Sequence, residues 1–80
     1  MLRLTEDTVM MSYFDCCSII VRHQSEPSLR YAVEYAKAGR YLKGHPVKVQ
    51  ALYILNNMTH WRGDTAKAVR QSLQKFSRGA

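Results

Sequence analysis

Residues 1–80 predict an all-α fold, a single domain built as a compact bundle of four helices over about 5–22, 27–43, 46–58 and 64–78. Three observations carry this expectation. Apolar residues recur at three- and four-residue spacing through each segment. Both prolines, Pro27 and Pro46, stand where a helix can begin, since the N–H that proline lacks has no partner in a first turn anyway. Only short turns separate the segments, so consecutive helices must pack directly against one another.

The first segment opens at Thr5, a capping residue type, with Glu6 and Asp7 suited to the positive end of the helix dipole. Val9, Tyr13, Cys17 and Ile20 follow at helical spacing, joined by Met10, Phe14 and Val21; Arg22 and His23 suit the negative end. Residues 18–21, Ser-Ile-Ile-Val, are β-branched enough to suit a short strand as well; the surrounding periodicity favours helix. In the second segment Ser25 is the expected cap and Pro27 the first turn. Leu29, Val33 and Ala36 make one apolar stripe, and Tyr31, Tyr35, Ala38 and Leu42 a second on the opposite side, with Gly44 as the stop.

His45 and Pro46 open the third segment. Val47, Ala51, Ile54 and Met58 line one face, with Leu55 beside them, while Val49, Leu52 and Tyr53 occupy the other. A helix apolar nearly all round is expected to be buried all round, as the centre of the core. The last segment follows residues 59–63 and takes Asp64 as its cap. Ala66, Val69, Leu73 and Phe76 form its apolar stripe; Lys67, Arg70, Gln71, Gln74 and Arg78 form the opposite face, with Lys75 at the edge. Trp61, in the preceding loop, is expected to fold back as a lid, because one buried indole matters greatly to a small core.

A chain of 80 residues buries only about 60% of its unfolded surface, so it often relies on a staple. Cys16 and Cys17 are adjacent and ill-placed for a disulfide with one another. The cysteines and the histidines His23, His45 and His60 lack structural zinc spacing, so no metal or other cofactor is expected. A homodimer is the remaining staple, and the surplus Tyr31, Tyr35 and Leu42 stripe is its expected interface. The first residues turn acidic where a secretory signal needs an apolar run; with the free cysteines this points to the cytoplasm. No membrane span is present in the sequence.

Charge is divided unevenly. Residues 1–34 hold three basic against five acidic residues, net −2; residues 35–80 hold nine basic residues against Asp64 alone, net +8, giving +6 in all. An ordinary surface mixes both signs. The imbalance points to an anionic partner, DNA or RNA, met by Lys67, Arg70, Gln71, Gln74 and Arg78, with Arg62, Lys48 and Lys43 clamping phosphates. Arginine pairs bidentately with guanine and glutamine with adenine. The third and fourth segments resemble a helix-turn-helix in outline, although residues 59–63 exceed the usual three- or four-residue turn. An acidic protein partner attracts the same cations, so an adaptor or inhibitor is the alternative.

Tyr41, beside Arg40 and Lys43, is the one tyrosine placed for base stacking. Arg62-Gly63-Asp64 spells an adhesion tripeptide but reads as a loop glycine before a helix. Catalysis is not expected. Cys16 and Cys17 sit in an apolar helix, and His45 and His60 flank the third helix about 20 Å apart at its rise per residue. No phosphate loop or paired-carboxylate spacing is present.

Overall fold

The computed structural model describes residues 11–78, and these form four α-helices with no strand among the described residues. Helix α1 spans Tyr13–Arg22; a 3-10 turn, Pro27–Leu29, leads into α2, Arg30–Gly39; α3 spans His45–Asn56 and α4 spans Asp64–Ser77. Helix α1 packs on α2 and α4, and α3 likewise packs on α2 and α4, so the helices close into a ring. Residues 18–21 are helical.

The order and number of helices match the sequence expectation, but the ends differ for local reasons. Helix α1 starts at Tyr13, not near Thr5, because Ser12 caps it: its Oγ accepts the Asp15 N–H at 3.0 Å. Thr5, Val9 and Met10 lie outside the described residues. Ser25 is not a cap; Glu26 occupies that position, before the first-turn Pro27.

Helix α2 stops at Gly39, four residues before Lys43. The Gly39 carbonyl, which a continuing helix would offer to the Lys43 N–H, instead accepts the Tyr13 hydroxyl at 2.7 Å and the Leu42 N–H at 3.1 Å. Gly44 therefore does not end α2; with φ +73° it starts α3, a left-handed conformation that glycine adopts freely. Gly63, φ +113°, makes the same kind of corner before α4. Asp64 is consequently the first helical residue and not the cap, and its charge still suits the dipole.

The core is built from the expected stripes. Tyr13, Cys17 and Ile20 meet Leu29, Val33 and Ala36 of the second segment, Ala51, Ile54 and Met58 of the third, and Ala66, Val69 and Leu73 of the fourth. Val47, Leu55 and Phe76 pack at its margin. Trp61 closes it as a lid, only 6% exposed, with its ring 5.3 Å from that of His23. Helix α3 is not buried all round. Val49, Leu52 and Tyr53 are each close to half exposed. The molecule measures 37 × 28 × 17 Å, and 17 Å is room for two layers of helix packed about 8–10 Å apart, with no interior position.

Candidate nucleic-acid interface

Helix α4 divides by its period. Ala66, Val69, Ser72 and Leu73 face inward and are buried, which turns Lys67, Gln71, Gln74, Lys75 and Arg78 to solvent. Ser72, which the apolar pattern did not single out, joins the core because its Oγ accepts the Met11 N–H at 3.0 Å. Lys67, Gln71, Gln74 and Arg78 recur at spacings of four, three and four, so they lie along one line of the helix.

Arg70 does not belong with them. Its guanidinium donates to the Trp61 carbonyl at 2.7 Å and to the Met58 carbonyl at 3.2 Å. It gathers two carbonyls of the loop that follows α3, that of Met58 also accepting the Trp61 N–H at 3.1 Å, and so holds the Trp61 loop against α4. The α3–α4 connection itself covers residues 57–63, longer than the five residues expected, so the unit departs further from a helix-turn-helix.

Arg62 is exposed in that connection, near the start of α4. Lys43 and Lys48 are exposed at the opposite end, flanking the α2–α3 turn. The last turn of α4 reaches this end too, because Phe76 shares the lining of one groove with Lys43, Gly44 and Val47. The fold thus brings the Lys43 region beside the Lys75–Arg78 end of α4, and leaves Arg62 and Lys67 at the far end. Among the described residues no ion pair forms, so these cations meet no described carboxylate.

The groove has a volume of about 720 Å³. Tyr13 and Phe76 form its base, their rings edge to face with centroids 6.2 Å apart. Phe14 and Tyr41 stand 5.6 Å apart at its side, and the Arg40 guanidinium lies 5.3 Å from the Tyr41 ring and 6.0 Å from that of Phe14. Tyr41 is 72% exposed and Phe14 46%. The Arg40 Nε is buried and has no hydrogen-bond partner. Leu42 lines this groove as well and packs partly on the core, so it is not one stripe with Tyr31 and Tyr35. Sequence reasoning singled out Tyr41 but missed its partner Phe14, 27 positions away, which no local pattern links to it.

Tyr31 and Tyr35 remain on the outer side of α2, Tyr31 62% exposed. The Tyr35 ring is 5.4 Å from that of Tyr53, which continues the apolar surface through Val49 and Leu52 of α3.

The chemistry elsewhere is quiet. Cys16 and Cys17 are free and buried. Burial pushes the Cys16 thiol up to about 12, reinforced by Cys17, and raises Cys17 as well, so both stay protonated and unreactive at neutral pH. Burial likewise raises the Tyr13 hydroxyl, which therefore remains a donor to Gly39. Among the described residues no group of three His, Cys, Asp or Glu side chains could hold a metal ion, and no helix is long and apolar enough to cross a membrane. The chain matches no family model, and no curated protein or solved structure matches it.

Proposed function

We propose that this is a small nucleic-acid-binding protein that acts by contact and not by catalysis, in a reducing cytoplasmic setting, and that two copies pair through the Tyr31 and Tyr35 face. The observation that supports it best is the row of exposed Lys67, Gln71, Gln74 and Arg78 on α4, which no carboxylate neutralises among the described residues. Lys75, Lys43 and Lys48 extend the positive surface at one end and Arg62 at the other. Phosphates are the ligand that such a row suits; lysines and arginines there release condensed counterions from a polyanion. Arg70 is removed from the contact set, because its guanidinium already holds two carbonyls.

The test separates binding from folding. Lys67→Glu, Lys75→Glu and Arg78→Glu together replace only exposed side chains, and exposed substitutions usually shift stability by less than about 0.5 kcal/mol each. The expected result is an unchanged helical spectrum with loss of DNA and RNA binding in fluorescence anisotropy. Wild-type affinity should fall steeply between about 50 and 200 mM salt, each neutralised phosphate adding about −0.9 to the log–log slope on duplex DNA. A folded triple variant that binds like wild type removes α4 from the interface. Failure of the wild type to bind any nucleic acid favours the adaptor reading, in which the same cations meet an acidic protein.

A further inference from the structure

The groove between the α2–α3 turn, the start of α1 and the end of α4 is not needed for contact with phosphates alone. It combines three features. Its walls are aromatic and accessible: Tyr41 stands at the rim, Phe14 is half exposed, and Tyr13 and Phe76 lie beneath. Among the described residues its charged lining is Arg40 and Lys43, both cations, with no carboxylate. The Arg40 Nε is buried without a hydrogen-bond partner, so the fold does not tie this guanidinium down through that nitrogen. A volume of about 720 Å³ falls within the range of about 300–1,000 Å³ typical of small-ligand sites.

We infer that this groove receives an unpaired base of a single-stranded nucleic acid, stacked on Tyr41 and Phe14, with Arg40 and Lys43 on the adjoining phosphates. The inference rests on the nucleic-acid reading and narrows it to single strands. A duplex hides the faces of its bases inside the stack and presents only edges and backbone. An aromatic groove has nothing to gain from it beyond charge. An unpaired base offers its π-face to an aromatic ring whatever its identity, while backbone phosphates meet the cations. The guanidinium of Arg40 beside the Tyr41 ring already forms one layer of such a stack.

The test compares three labelled probes by fluorescence anisotropy: an oligothymidylate, an abasic sugar–phosphate strand and a duplex, each of about 20 nucleotides, longer than a typical single-strand site. Wild type should prefer the oligothymidylate to the abasic strand. Tyr41→Ala should weaken oligothymidylate binding by about 5-fold to 150-fold, the range that stacking of one base supports, and leave the abasic strand unaffected. Tyr41→Phe should restore the preference. Because Tyr41 is largely exposed, its melting midpoint serves as the folding control. On adding oligothymidylate, ring proton resonances of Phe14 and Tyr41 should shift, which charge neutralisation alone would not cause.

If all three probes bind equally and Tyr41→Ala changes nothing, the base-binding groove is overturned while nucleic-acid binding by the α4 face stands. If none of them binds at low salt, both ideas fall together.

Discussion

Arg70 and Trp61 show how a residue's role turns on a few ångströms. Arg70 reads in sequence as one of the α4 cations, yet it stands four residues after Ala66 and three before Leu73, at the edge of the buried stripe, and its long stem lets the guanidinium reach the Trp61 and Met58 carbonyls. Trp61 in turn covers the core beside His23. Trp61→Ala should lower stability by about 3–5 kcal/mol, the usual cost of emptying a large aromatic site. Arg70→Ala should cost about 1.5–3 kcal/mol, because hydrogen bonds from a charged donor are lost. Arg70→Lys should recover only part of that: both bonds come from one nitrogen, Nη2, which the shorter lysine side chain does not carry as far. Urea unfolding of the three variants checks both expectations. An Arg70→Ala protein as stable as wild type but deficient in binding would return Arg70 to the contact surface.

At the scale of elements, the end of α2 decides most of what is distinctive. Gly39 lets α2 approach α3 so closely that a Cβ built there would lie 2.5 Å from the Gln50 Cγ. Gln50 is held by its own bond, Nε2 donating to the Tyr35 carbonyl at 2.8 Å. Gly39→Ala should therefore displace Gln50 and destabilise the protein by about 1–3 kcal/mol, as overpacking does, despite alanine's better helix propensity. A thermal melt reads this directly; a stabilised Gly39→Ala would show that Gln50 swings away freely. The apolar stripes made the pairing of helices legible in advance, because burial follows the 3.6-residue period wherever a helix lies on a core. The helix ends were less legible. Residues up to Lys43 continue an acceptable helical pattern, and it is Tyr13, 26 positions away, that takes the Gly39 carbonyl and ends the helix.

For the whole molecule, thinness matters most. A bundle two layers deep leaves α3 with an uncovered side, and Val49, Leu52 and Tyr53 join Tyr35 and Tyr31 in one exposed apolar surface. We propose this surface as the contact between two copies, with the interface moved from Leu42 to the α3 residues. Tyr35→Glu should then give a folded monomer, its stability lowered by no more than about 1–2 kcal/mol through loss of the Tyr53 ring contact. Light scattering across micromolar concentrations distinguishes the outcomes: a wild type that is monomeric throughout ends the proposal.

The sequence by itself determined the helical class, the four segments, the core stripes, the lid role of Trp61 and the charge imbalance after Glu34. These are properties of local period and composition, which the chain carries wherever it goes. Tertiary structure alone decided that Arg70 serves the fold, that Leu42 leaves the tyrosine stripe, and that α3 shows a side to solvent. It also decided that Phe14 of α1, Tyr41 of the α2–α3 turn and Phe76 of α4 surround one groove. Each of these depends on which distant side chain arrives at a given backbone or ring, and such meetings leave no periodic trace in the sequence.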